Sequence, residues 1–147
     1  MMKSNGHLSV ALAGLKELME KKQLSEWHRK NLKSKCSVVY TYRITTEVVP
    51  PSLQMIMLLR NVIAPALWFY TTDEKLPDIS FNRSKNFKWT NSRNFKRLKS
   101  ISEKKRWCAE NGIPYITIWT LLNGKRQLTF NRIAAWKHLL PPEDWFR

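Results

Sequence analysis

Apolar residues recur along this chain at helical rather than strand spacing, and the breaks between them carry capping and turn residues. Val10, Leu12, Leu15 and Leu18-Met19 give residues 8–22 one apolar face opposite a charged one, which predicts a first helix. Ser25 stands where an N-cap is wanted, ahead of a short basic helix over 26–35 with Trp27 and Leu32 inward. Pro50-Pro51-Ser52 breaks the chain and caps a helix from Leu53 to about Ile63, and Pro65 opens one more turn through Trp68-Phe69. In the later half, residues 91–100, 103–110, 114–122 and 130–140 read as helices. Asn111-Gly112 forms a turn between two of them, Asn123-Gly124 stops the third, and Thr129 caps the fourth. Pro141-Pro142 leads into a last turn over 143–146, which puts Glu143 and Asp144 where a helix dipole favours carboxylates. One segment is ambiguous: Val-Val-Tyr-Thr-Tyr-Arg-Ile at 38–44 is β-prone by propensity and reads equally as a strand.

The same pattern occurs twice, without a gap, at an offset of 77 (Ser102 against Ser25). Identities fall at Glu26/Glu103, Arg29/Arg106, Ile56/Ile133, Pro65/Pro142, Trp68/Trp145 and Phe69/Phe146, and apolar residues coincide at Cys36/Ile113, Val39/Ile116, Ile44/Leu121 and Leu53/Phe130. A repeat of this length means two copies of one small fold, so residues 38–44 are expected to be helical like their counterpart. The expected organisation is all-α, with one unit over 8–72, a connector over 73–90 and a second unit over 91–147. The first helix of the second unit aligns with its counterpart only after a shift.

Units of this size are marginal alone, burying about 60% of their unfolded surface. The seven Trp and six Phe would enlarge the two cores, and the halves are expected to lean on each other. The formal charge of +15, from 26 Lys and Arg against 11 Asp and Glu, exceeds what solubility needs and points to a polyanionic partner. Nucleic acid fits better than a membrane surface because Asn, Ser, Thr and aromatic residues interleave the cations. The apolar stretch 53–70 is interrupted by Gln54, Arg60-Asn61 and Pro65, which a bilayer centre would disfavour. No signal peptide is expected, since Lys16, Glu17 and Glu20 follow the short apolar run. Cys36 and Cys108 form no paired motif and read as buried apolar residues in a reducing, cytoplasmic compartment. The three His are scattered, so no metal, cofactor or catalytic constellation is expected.

Short helices with a Gly turn between the second and third have the layout of a helix-turn-helix domain. The second copy, with Ala109-Glu110-Asn111-Gly112-Ile113, then Ile118, then Leu121-Leu122-Asn123-Gly124-Lys125-Arg126, resembles the lambda-repressor-like (Cro/repressor, XRE-type) helix-turn-helix family. The first copy is similar, with Cys36 at the turn, Ile44 on the third helix and Pro51-Ser52-Leu53 entering the fourth. It departs at Lys35, where the turn Gly would be, and at Thr46-Glu47-Val48-Val49 in place of Asn-Gly-Lys-Arg. The resemblance implies two tandem lambda-repressor-like domains of about five short helices each. It also implies a DNA-binding transcriptional regulator of a bacterium or mobile element, associated with the nucleoid.

In that family the third helix enters the major groove and the N-termini of helices two and three approach phosphates. By position, the resemblance assigns base-facing roles to Pro114, Tyr115, Thr117, Trp119 and Thr120, and in the first copy to Ser37, Val38, Tyr40, Tyr42 and Arg43. Lys104, Lys105, Arg106, Lys125 and Arg126 flank the second recognition helix as phosphate contacts. Bidentate base reading needs Arg, Asn or Gln, and Arg43 alone meets that need. Two other readings stay open: aromatic third helices that dock a protein partner such as an inhibitor or antirepressor, and a sequence-tolerant nucleic-acid binder working through residues 81–99 as a flexible arm. Homodimerisation is also open, because two copies in one chain can serve as their own pseudo-dimer.

Overall fold

The computed structural model describes residues 9–14, 50–61 and 63–147. The second and third helices expected in the first copy lie outside the described residues, and so do Ser37, Tyr40, Tyr42 and Arg43. Among the described residues the protein is helical and has no strand; Ser9 and Thr71 meet in an isolated antiparallel bridge. Residues 10–14 are helical. The remaining helices are α1 (Leu53–Leu58), α2 (Arg93–Ser100), α3 (Lys104–Glu110), α4 (Tyr115–Leu122) and α5 (Phe130–Ala135). Short 3-10 turns occupy Pro65–Phe69, Trp89–Asn91 and Pro142–Trp145.

The offset of 77 reappears in the hydrogen bonding. Ser52 Oγ accepts the Met55 N–H at 3.1 Å at the start of α1, and Thr129 Oγ1 accepts the Arg132 N–H at 3.2 Å at the start of α5. Both helices end sooner than the apolar pattern predicts. Leu59 and Trp136 each close the helix with ψ near zero, and the Ile63 and Leu140 N–H groups then donate to Leu59 O and Trp136 O, both at 2.8 Å. Neither helix resumes before the next turn: Ala64 and Pro141, each preceding a proline, both have ψ 131, where a helix cannot continue. The Pro65 and Pro142 turns follow, each delivering a buried Trp and a buried Phe. The indole N–H groups of Trp68 and Trp145 are alike too, both buried with no acceptor among the described residues.

The start of each half follows a different offset, 83 (Ser92 against Ser9). Ser9 Oγ accepts the Leu12 N–H at 3.0 Å, and Ser92 Oγ accepts the Phe95 N–H at 3.2 Å. The next residue in each case donates to the end of the same half, Val10 N–H to Tyr70 O at 2.9 Å and Arg93 N–H to Arg147 O at 2.8 Å. A main-chain bond thus ties first helix to last turn in both halves, and the shift amounts to six extra residues within the first.

The buried apolar side chains form one cluster that draws on both halves, including Ile56 and Ile133 at 0% exposure and Trp68 and Trp145. Residues matched at the offset of 77 meet: Phe69 and Phe146 stack with centroids 6.2 Å apart. Phe69 also stacks on Phe130 at 4.8 Å, and the Lys137 ammonium donates to Phe69 O and to Glu74. Glu143 and Asp144 do lie in a first turn, but buried, and their carboxylates serve side chains rather than a helix dipole. Burial, with the hydrogen bond that the Tyr70 hydroxyl donates to Glu143 at 2.5 Å, pushes that hydroxyl's pKa up and keeps it a donor. Asp144 accepts from Arg97 and, at 2.8 Å, from Arg147 Nε. Burial opposes its ionisation, yet the two guanidinium groups hold its carboxyl below the usual range.

The connector is fastened to the second half rather than free as an arm. Asn82 N–H donates to Phe146 O at 2.8 Å, Arg147 Nη1 donates to Asp78 O at 3.0 Å, and Trp89 packs edge-on against Phe95 and Trp145.

Candidate nucleic-acid interface

The site is built on α3, α4 and the turns that end them. At the end of α3 the Ile113 N–H donates to Cys108 O at 3.0 Å and the Gly112 N–H to Ala109 O at 3.5 Å. That is a Schellman motif, with Gly112 at φ 69 in the left-handed region. The motif repeats at the end of α4, where Lys125 N–H donates to Thr120 O at 2.8 Å, Gly124 N–H to Leu121 O at 3.4 Å, and Gly124 sits at φ 70. The first motif turns the chain and buries Ile113 next to Cys108, whose thiol pKa is raised by burial. The second halts α4 and leaves Lys125 and Arg126 exposed just beyond it.

Helical geometry then divides the residues of α4. Ile118 and Leu121 are buried against α3 and α2, with Leu122 partly buried. Ile116 and Trp119 point outward, 59% and 42% exposed. Ile116, matched to Val39 as an apolar core position in the sequence, is therefore a surface residue. At 100° per residue it lies opposite Ile118, a signal that the pairing of apolar positions overrode. Thr120 is half-buried; its hydroxyl lies 2.8 Å from Ile116 O and 3.0 Å from Thr117 O, and accepts from Arg126 Nε at 3.2 Å. Arg126 is thereby held against the outer face of α4. Asn123, a further member of this face, donates its amide to Trp119 O at 2.8 Å.

The other assigned residues spread to either side. Pro114 is the exposed N-cap of α4, and Thr117 shares a hollow with Gly112, Pro114, Thr129, Asn131 and Arg132. Tyr115 lies on the opposite flank, over the start of α3, with the Lys105 ammonium 5.5 Å from its ring centre. Lys104 is half-buried, and its ammonium donates to Lys99 O and Ile101 O, closing the end of α2. Arg106 is exposed between Glu103 at 3.3 Å and Glu110 at 3.8 Å. The exposed cations around α4 that pair with no carboxylate among the described residues are thus Lys105, Lys125 and Arg126.

A cleft of about 800 Å³ opens on the other side of Arg126, between α1, the connector and the loop after α4. Arg60, Lys88 and Arg126 line it among Leu53, Met57, Trp89, Leu128 and Phe146. Arg60 occupies the position equivalent to Lys137, which bonds Phe69 O across the junction. On this side Phe146 O is taken by Asn82, and Arg60 Nη1 turns back to Met57 O at 2.9 Å. Among the described residues no group of His, Cys, Asp and Glu could hold a metal ion, and no helix is long and apolar enough to cross a membrane. No protein-family model, curated protein or solved structure matches the chain.

Proposed function

We propose that the protein is a DNA-binding transcriptional regulator, of a bacterium or mobile element, made of two tandem lambda-repressor-like helix-turn-helix units, the second binding duplex DNA through α4. The observation that carries this is the α3–Gly112–α4 arrangement, which presents one face of α4 with Lys105, Lys125 and Arg126 around it. A helix so bracketed can lie in a major groove while the cations meet the phosphate rows on either side. The matched caps and turns at the ends of both halves support two copies of one unit, and the stacked Phe69 and Phe146 support their acting as a built-in dimer. The working compartment in this reading is the cytoplasm, at the nucleoid.

Selection of bound sequences from a random duplex pool by the full chain at physiological salt tests it. Enrichment of one sequence is the expected result. Equal retention of every duplex would favour a sequence-tolerant binder acting through charge alone. A second reading, docking of a protein partner on α4, is favoured by the exposure of Ile116 and Trp119. It would stand in place of the first if no duplex bound below about 0.1 mM, the weak end of non-specific affinity.

A further inference from the structure

Of the exposed large apolar side chains among the described residues, α4 carries Ile116 and Trp119, a turn apart on one face. Polar groups beside them are engaged within the protein. The Thr120 hydroxyl is bonded to helix carbonyls and to Arg126, and one N–H of the Asn123 amide to Trp119 O, while the rest of that amide stays exposed at the edge of the face. What the centre of this face offers a ligand is therefore mainly hydrocarbon and indole surface, with Lys105, Lys125 and Arg126 around it. The nearest acids in sequence, Glu103 and Glu110, pair with Arg106.

An apolar centre with a cationic rim complements a surface with apolar groups between two rows of negative charge. A duplex major groove has that form where thymine C5-methyl groups line its floor, and its width of about 12 Å admits one helix. Resting on the DNA-binding reading above, we infer that α4 recognises its duplex chiefly by apolar contact of Ile116 and Trp119 with thymine methyl groups rather than by hydrogen bonds to base edges. The favoured duplex is thymine-rich beneath α4, and orientation comes from the cations.

The test replaces thymine by deoxyuracil in the duplex enriched from the random pool, which removes the methyl and leaves the base pairing. Affinity of the full chain is read by fluorescence anisotropy. Each methyl covered by Ile116 or Trp119 should contribute about fourfold, the equivalent of about 0.8 kcal/mol for one buried methyl-sized group. Ile116→Ala and Trp119→Ala should each narrow the gap between thymine and uracil duplexes, with circular dichroism confirming that these exposed sites leave the fold intact. Equal affinity of the unaltered protein for the two duplexes would overturn the inference and leave DNA binding standing. Failure to bind any duplex would overturn both and pass the apolar face to a protein partner.

Discussion

Gly112 and Gly124 are held by a backbone requirement and not by lack of space, since a Cβ built on either meets nothing within 4 Å. Their φ values of 69 and 70 lie where an L side chain strains against its own carbonyl, at about 1–2 kcal/mol. Gly112→Ala and Gly124→Ala should each destabilise the protein by about that amount in urea unfolding, and Asn at either site should cost less, because its side chain tolerates the left-handed region. An equal penalty for Ala and Asn would point to packing instead. Both positions were legible in the sequence because turn chemistry is local. Exposure of Ile116 was signalled only by its helical position opposite Ile118, and the matching of apolar residues at an offset of 77 hid that signal because several apolar residues stand in a row on α4. The link from Arg126 to Thr120 was also hidden, since it closes only once the Gly124 turn has folded the chain back.

At the scale of elements, caps set where α1, α2 and α5 begin, Gly turns set where α3 and α4 end, and tertiary packing sets where α1 and α5 end. Ser92 and Thr129 each accept a main-chain N–H three residues on, so Ser92→Ala and Thr129→Ala should each cost about 1 kcal/mol of stability, measured by thermal or urea unfolding. The sequence pattern carried α1 and α5 too far because apolar residues continue past both. Those later residues fold back onto the core through turns, a choice that periodicity does not encode. Burial of Asp144 beside α2 was likewise out of reach, since it needs Arg97 and Arg147 in place. Its carboxyl is held below its unfolded value of about 3.9, so its stabilising contribution is complete above that pH and is lost as pH falls through the lower folded value. Asp144→Asn should therefore be less stable than the parent at neutral pH and show a flatter loss of stability below about pH 4. Parallel curves in an acid titration of unfolding free energy would show that another group carries the dependence.

For the whole molecule, the excess of positive charge predicts strongly salt-dependent binding to a polyanion, and the structure sorts which cations contribute. Lys125→Ala and Arg126→Ala should each lower the slope of log affinity against log salt by about 1. Lys104→Ala should leave the slope nearly unchanged and lower stability instead, because its ammonium closes α2. A comparable drop in slope for Lys104→Ala would mean that it reaches phosphate. The second half keeps the Gly turn and the Asn-Gly-Lys-Arg ending, so paired replacement of Lys125 and Arg126 should weaken binding more than replacement of Lys33 and Lys35. Equal losses in the same titration would mean that both halves contribute alike.

By itself the sequence determined the helical class, the doubled pattern, the caps, the proline and glycine turns and the positive charge. Each of these depends on residues close in the chain or on a simple count. Tertiary structure alone decided that the first helices correspond at an offset of 83 while the later elements keep 77, because the six-residue difference shows only when each helix start is tied to its own last turn. It also decided that Phe69 meets Phe146, that the connector lies pinned to the second half, and how much of Ile116 and Trp119 on α4 is left uncovered. The physical reason is common to all three: each depends on groups far apart in sequence, and neither hydrophobic burial nor a hydrogen bond selects its partner until the chain has brought the two together.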